Sequence, residues 1–207
     1  MKCDLYTRKK TPKDYRRRSR TRDVRDHFLI VCEGRKTEPN YFRCFRISTL
    51  QVEIHGLGAN TKSLIEATID KRSEGIRRGR KYNQTWCVFD RDSFPKQSFN
   101  DAFEAAKNND IRIAYSNEAF ELWYVLHFEY LQSALSRNDY VRKLKKLLGR
   151  KYQKNDPDMY EELIEKQLVA AETAQKLLDS YADFDPERNN PSTTVHRLVQ
   201  ELNRFVI

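Results

Sequence analysis

The sequence has no long hydrophobic run and no cysteine spacing typical of a metal or disulfide framework. Over 207 residues, no apolar stretch approaches the roughly 20 residues that a transmembrane helix needs. The first 20 residues are charged and contain no apolar core, which argues against a secretory signal peptide. The four cysteines show no CxxC spacing, and no His/Cys set has zinc spacing. We therefore expect a protein of the reducing cytoplasm with no membrane segment.

Internal repeats and low-complexity tracts are also absent from the sequence. Hydrophobic residues make up 39% and charged residues 33%, which is a polar but globular balance. The length suits one domain of ordinary size with a smaller helical addition.

Positive charge is concentrated at the N-terminus. The net charge is +9, and residues 1–26 contribute +7 through eleven Lys and Arg against four Asp. Such an arm is suited to bind phosphate backbones, and its arginines, seven against four lysines, favour bidentate phosphate contact. The alternative for the arm is a tail that only increases solubility. For Lys36, the alternative to phosphate contact is a lysine exposed to solvent. The residues expected to contact nucleic acid are Arg8, Lys9, Lys10, Arg16, Arg17, Arg18 and Lys36.

Apolar runs and amphipathic segments alternate between residues 27 and 117. Helices are predicted between the strands, and this order predicts an α/β fold with a mostly parallel four-stranded sheet flanked by helices. We divide the chain into a basic N-terminal arm (1–26), an α/β domain (27–130) and a C-terminal helical region (131–207) packed on it. The predicted strands are HFLIVCE (27–33), VEIHGLG (52–58), TWCVFD (85–90) and IRIAYSN (111–117).

Only helical patterns follow the fourth strand. An apolar helix is predicted over 119–131, a basic amphipathic helix over 139–152, a long helix over 156–184 and a last helix after the capping hydroxyls near 192. The basic helix adds cations that we expect to attract a nucleic-acid backbone regardless of its sequence. These cations are Lys143, Lys145, Lys146 and Arg150.

Acidic residues stand at the carboxyl ends of two predicted strands. Glu33 ends the first strand, and Asp90 and Asp92 lie at the end of the third. Sites in parallel α/β sheets form at this edge, and side chains two residues apart in extended chain point the same way. Crowded carboxylates repel unless a cation lies between them, and oxygen ligands favour Mg²⁺ or Mn²⁺. We therefore predict a catalytic metal site at Glu33, Asp90 and Asp92, with acids that only cap helices as the alternative.

Four segments in this order resemble the RloB family of bacterial proteins: VCEGRKTEPNYF, VFDRD, SNEAFELWYVLHF and NNPSTTVHRLVQEL. The resemblance covers about residues 26–205. It implies a metal-dependent nuclease with a TOPRIM-like fold in bacterial antiphage defence, often encoded beside an ATPase partner. By position, Glu33 would be the general acid/base or a metal ligand, and Asp90 and Asp92 the metal ligands. The third motif departs from the family, which usually has Pro and Cys where this chain has Glu118 and Ala119.

Several further polar residues are candidates for the site. Glu121 interrupts an apolar helix, where an acid is costly to bury alone, so we predict a metal ligand or a partner for Arg or Lys. A solvent-facing position is the alternative. Glu38 is interpreted as a helix N-terminal acid stabilised by the helix dipole. The remaining candidates are Asn117, His127, Thr193 and His196. The alternative for the histidines is a position in the core, and the alternative for Thr193 is a hydroxyl that caps a helix.

These residues predict Mg²⁺-dependent hydrolysis of phosphodiester bonds in DNA or RNA. Two other readings stay open. In the first, DRDSF is the nucleophile motif of a haloacid-dehalogenase-like phosphatase, with Asp90 as the nucleophile. In the second, the chain is a non-catalytic module that binds nucleic acid or a partner ATPase. The sequence leaves the polymer, the activating trigger and the oligomeric state undetermined.

Overall fold

The computed structural model describes residues 26–45, 47, 49–57, 61–91 and 96–206. Its centre is a five-stranded sheet in the order β2-β1-β3-β4-β5. The strands are β1 (Asp26–Cys32), β2 (Leu50–Gly56), β3 (Gln84–Asp90), β4 (Arg112–Asn117) and β5 (Ser192–Thr193). The helices are α1 (Thr37–Arg43), α2 (Thr61–Arg77), α3 (Lys96–Asn108), α4 (Glu121–Val125), α5 (Arg137–Leu148), α6 (Met159–Leu163), α7 (Gln167–Asp179) and α8 (Val195–Asn203).

The sheet is parallel except at one edge. β1 pairs with β2 and β3, and β3 pairs with β4, all in parallel, whereas β5 runs antiparallel to β4. The predicted α/β fold with a mostly parallel sheet is confirmed and is consistent with a TOPRIM-like fold. The fifth strand adds to the four predicted ones. It consists of two residues, which is too few for a hydrophobic period to indicate a strand.

Residues of each central strand alternate between two hydrophobic cores. Phe28, Ile30 and Cys32 of β1 contribute to one core, and Leu29 and Val31 contribute to the other. The first core is covered by α1 and by α4 to α8, and the second is covered by α2 and α3. Since both faces of the sheet are covered, the central strands β1 and β3 carry continuous apolar runs, as their sequences indicated.

The helices after β4 are shorter than their sequence patterns predicted. The apolar segment 119–131 forms only the five-residue helix α4, whose residues are all buried, the four apolar ones in the first core. The segment 156–184 is divided into α6 and α7 by a 3₁₀ turn at Ile164–Lys166. Within the described ranges, no helix is long and apolar enough to cross a membrane.

Candidate active site

Glu33 and Asp90 lie side by side at the carboxyl edge of the sheet. The Glu33 N–H donates to the Val88 carbonyl (2.8 Å), which continues the β1–β3 pairing past the end of β1. The Asp90 N–H donates to Glu33 Oε2 (3.1 Å). The two acids therefore come together because neighbouring parallel strands end at the same edge, as the sequence indicated.

Asp90 is a buried acid of this edge, with 6% of its surface exposed. Its Oδ2 accepts a hydrogen bond from Arg137 Nη2 (3.2 Å), while Oδ1 is buried with no hydrogen-bond partner among the described residues. Burial raises the pKa of Asp90 well above its ordinary value, and the negative charges of Glu38 and Glu121 raise it further. Arg137 acts in the opposite direction. The ionised form of Asp90 therefore needs more positive charge than these residues supply.

Glu38 also belongs to this edge, which the sequence analysis missed. It lies in the first turn of α1, as predicted, but only 6% of it is exposed. Burial, followed by the neighbouring Glu33, raises the pKa of Glu38 to about 7 against the effect of its own backbone and of Lys154. A Cβ atom at Gly34 would overlap the Glu38 carboxylate. Glycine at position 34 therefore provides the space for this acid.

Glu121 is buried rather than facing solvent, so the solvent-facing alternative is wrong. It is the first residue of α4, directly after β4, and is 5% exposed. The Tyr152 hydroxyl donates to Glu121 Oε1 (3.2 Å). Burial and the Glu121 charge raise the pKa of Tyr152, which therefore remains a donor. The structure thus brings four carboxylates to this edge: Glu33, Glu38, Asp90 and Glu121. The charges of the three glutamates all raise the pKa of Asp90.

The segment that carries Tyr152 also contacts the start of α1. Thr37 Oγ1 donates to Asn155 Oδ1 (2.7 Å), across 118 residues of sequence. Between these contacts lies Lys154, whose charge lowers the pKa of Glu38. The segment 152–155 therefore contacts Glu121 directly and the residue next to Glu38, Thr37.

Some cations of the described residues are exposed, and others are held in ion pairs. Arg35 and Lys36 are exposed in the loop between Glu33 and α1. Lys145 and Lys146 are exposed on α5. By contrast, two predicted backbone-binding cations are engaged: Lys143 with Glu129 (2.6 Å), and Arg150 with Asp156 and Glu162 (2.6 Å each). The predicted contacts of Arg8, Lys9, Lys10, Arg16, Arg17 and Arg18, and the predicted ligand Asp92, lie outside the described residues.

Asn117 and Thr193 make internal hydrogen bonds beside the site. Asn117 Nδ2 donates to the carbonyls of Pro186 (3.2 Å), Glu187 (3.4 Å) and Asn189 (3.1 Å). Thr193 Oγ1 donates to the Tyr115 carbonyl (2.8 Å) and is fully buried. Both side chains hold the segment 186–193 against the end of β4. The Asn117–Glu118 peptide bond at this point is cis.

The two candidate histidines are buried in the protein core. His127 Nδ1 donates to the Trp123 carbonyl (2.8 Å), and its ring packs edge-on against the Trp123 ring. His196 Nε2 is 3.2 Å from Gln175 Oε1. Burial lowers the pKa of each histidine to about 4, so both are neutral near pH 7. Their contacts are those of core histidines.

The donor set of this edge suits a hard divalent cation. All four acids offer carboxylate oxygens, the ligands that Mg²⁺ and Mn²⁺ prefer, and Asp90 Oδ1 is a buried acceptor without a partner among the described residues. Among the residues that the structure describes, no group of three or more His, Cys, Asp or Glu side chains has a geometry that could hold a metal ion. A bound ion would therefore require these side chains to move closer together.

Comparison with known proteins gives a family assignment. The family model described as RloB-like protein matches residues 28–202, and this range includes all four carboxylates of the edge. No curated protein and no solved structure gave a significant match. The matched range covers most of the 207 residues, so the chain belongs to the RloB-like family.

Proposed function

We propose that this RloB-like protein is a divalent-metal-dependent nuclease that hydrolyses phosphodiester bonds in DNA or RNA. The observation that carries the proposal is the environment of Asp90. Its carboxylate is buried among three other acids and retains an oxygen with no partner among the described residues. A buried acceptor without a hydrogen-bond partner is costly, and active sites are where such costs are retained. A divalent cation, Mg²⁺ or Mn²⁺, would offset the cost.

Three of the four acids would have separate roles at this edge. Asp90 and Glu121 would hold the ion, with Asp92 from the segment outside the described residues. A bound ion supplies positive charge to the phosphate oxygens as charge builds on them. Glu33, half-buried and more accessible than Asp90, would take the proton of the attacking water or return one to the leaving oxygen. A well-placed carboxylate contributes about 10²–10⁴-fold in such proton transfer.

Exposed cations would bind the backbone of the polymer. Arg35 and Lys36 follow Glu33 directly, and Lys145 and Lys146 are exposed on α5. Together with the basic arm, they supply backbone attraction that is independent of base sequence and sensitive to salt. Binding and cleavage would thus depend on different residues.

The biological setting is proposed from the family resemblance. RloB-like proteins are linked to bacterial antiphage defence of the abortive-infection type, often beside an ATPase gene. We place this chain in the same role, acting in the cytoplasm with a partner ATPase as its restraint. The proposal for the partner is separate from the proposal for the chemistry.

A cleavage panel tests the proposed chemistry. Plasmid DNA, single-stranded DNA and tRNA are incubated with Mg²⁺, Mn²⁺ or EDTA and with wild type, Glu33→Gln or Glu66→Gln. Glu66 is an exposed acid on α2 and serves as the matched charge control. We expect metal-dependent cleavage by wild type and Glu66→Gln, and its loss in Glu33→Gln.

Other outcomes of the panel contradict the proposal in recognisable ways. Salt-reversible binding without turnover under any metal condition indicates a non-catalytic module. Trapping of a phosphorylated Asp90 indicates a phosphatase. Cleavage that persists in EDTA shows that the reaction does not need a divalent metal ion.

A further inference from the structure

We infer that Tyr140 is a positioning residue of the metal site, whose buried hydroxyl donates to the Glu121 carboxylate when the acids of the edge close on a metal ion. This role rests on the proposed function, because it needs the same ion. It gives a use to a hydroxyl that the proposed roles of the acids leave aside.

The Tyr140 hydroxyl is buried and has no hydrogen-bond partner among the described residues. Tyr140 is 0% exposed, and its ring packs in the first core. A phenylalanine would supply the same ring, whereas a buried hydroxyl without a partner costs stability. The tyrosine is therefore best explained by an acceptor that its hydroxyl meets in another arrangement of the site.

Two contacts of α5 place Tyr140 beside the acids. Arg137, the first residue of α5, donates through Nη2 to Asp90 Oδ2 (3.2 Å). Tyr140 follows three residues later, so it lies one turn further along the same side of the helix. In addition, α5 packs against α4, whose first residue is Glu121. Tyr140 is thus next to the part of the edge that Asp90 and Glu121 form.

The start of α5 is held firmly under Tyr140. Ser136 and Asp139 form a capping box, in which each backbone N–H donates to the other side chain (3.3 Å each). The Tyr140 N–H donates to the Ser136 carbonyl (3.0 Å), and Leu144, one turn later, is buried in the first core. The hydroxyl therefore keeps its place while the acids move closer together, as a positioning group should.

The charges that act on Tyr140 are those of acids. Burial raises the pKa of Tyr140, and three carboxylates raise it further: Glu118, Glu121 and Asp90. Tyr140 therefore keeps its proton, and a phenol that keeps its proton can donate to a carboxylate. A donor of this kind suits an edge that is rich in acceptors.

Glu121 is the acceptor that the surrounding contacts favour. Its Oε1 accepts from the Tyr152 hydroxyl (3.2 Å), and a carboxylate has about four lone-pair sites, so it can accept a second O–H and still bind an ion. Asp90 already accepts from Arg137, and Glu118 is only half-buried. Hydrogen bonds to metal-binding carboxylates orient them, and the loss of such a bond typically lowers metal affinity by about 10–100-fold.

The test compares Tyr140→Phe with Tyr82→Phe, which removes the same hydroxyl from a position where it has a partner. The Tyr82 hydroxyl donates to Glu53 Oε2 (2.7 Å), and Tyr82 precedes β3, at the end of the sheet opposite the acids. Isothermal titration calorimetry gives the Mn²⁺ affinity, and urea unfolding in EDTA gives the stability without metal. We expect Tyr140→Phe to bind Mn²⁺ at least about tenfold more weakly and to unfold at the wild-type urea midpoint or above it. Tyr82→Phe should show the reverse, an unchanged affinity and a lower midpoint.

The other outcomes separate this role from the proposed function. Equal Mn²⁺ affinity of wild type and Tyr140→Phe overturns the inference and leaves the metal site in place. A lower urea midpoint of Tyr140→Phe in EDTA also overturns it, because the hydroxyl then has a partner in the metal-free protein. Glu118→Gln should keep the wild-type affinity, and a loss equal to that of Tyr140→Phe would assign the acceptor to Glu118 instead of Glu121. If wild type shows no saturable Mn²⁺ binding, the proposed function fails and the inference with it.

Discussion

The Asp90 N–H donates to Glu33 Oε2 over 3.1 Å, although 57 residues separate the two acids in sequence. This bond lies at the carboxyl edge of the sheet, one residue beyond the last β1–β3 pair, Cys32 with Val88. The β1–β3 register therefore determines the relative position of the two acids. Changes near Glu33 should affect chemistry more than folding when they leave this register intact.

Gly34→Ala should impair activity with little loss of stability. The added Cβ overlaps the Glu38 carboxylate, the end of a flexible side chain that can turn away. We expect metal-dependent cleavage to fall by at least about tenfold, because displacing a carboxylate of the site by a small distance is costly, while the free energy of unfolding changes by less than about 2 kcal/mol. Urea unfolding and initial cleavage rates measure the two effects.

Gly79→Ala is the control for this prediction. Gly79 has a φ of +81° and no atom near its added Cβ, so alanine there strains the backbone and costs about 1 kcal/mol. It should lower stability and leave cleavage unchanged. Equal cleavage by Gly34→Ala and wild type would remove Glu38 from the site.

Asn117→Ala should have the opposite effect, with a large loss of stability. The substitution removes the donor shared by three backbone carbonyls in a buried position. Leaving buried acceptors unsatisfied costs about 2–3 kcal/mol in total. The midpoint of urea unfolding should fall accordingly, while the folded variant should bind labelled DNA with unchanged affinity. A stable variant with impaired binding would assign Asn117 to the ligand instead.

His127 makes the stability of the protein depend on pH. Burial lowers the pKa of His127 to about 4, whereas in the unfolded chain it takes up a proton near the ordinary value of 6.5. Between these values the unfolded state binds more protons, so the stabilising contribution is complete above pH 6.5 and is lost as pH falls towards 4. We expect a loss of up to about 3 kcal/mol from this residue.

His127→Asn isolates this contribution. An asparagine amide can donate to the Trp123 carbonyl but does not titrate in this range. Urea unfolding at pH 7 and pH 5 should show a smaller pH-dependent loss for the variant than for wild type. His196 is present in both proteins and cancels from the comparison. If wild type and His127→Asn lose the same stability between pH 7 and pH 5, the pKa of His127 does not differ between the folded and unfolded states.

The parts of the site that follow from strand order were predictable from the sequence. Continuous apolar runs indicated parallel strands covered on both faces, and the carboxyl ends of such strands place Glu33 and Asp90 together. The residue types at this edge then indicated carboxylate chemistry. These inferences needed only the local sequence and general rules of sheet topology.

The remaining parts depend on contacts between distant segments. Glu38 has the sequence position of an ordinary helix N-terminal acid, and its burial depends on a segment held by Asn155, 118 residues from its partner Thr37. The Arg137–Asp90 pair similarly joins residues 47 apart. Thr193 lies in a strand of two residues, which has no recognisable period. Tertiary packing decides each of these features, and none leaves a local pattern.

Binding of Mn²⁺ to Asp90→Asn and wild type, measured by isothermal titration calorimetry at pH 7.5, is the most direct test of the metal site. The variant keeps the shape of the side chain and removes the charge. We predict saturable binding to wild type and to the control Glu66→Gln, competed by Mg²⁺, with affinity lowered by more than about tenfold in Asp90→Asn. Equal affinity in Asp90→Asn, or no saturable binding to wild type, would contradict the account.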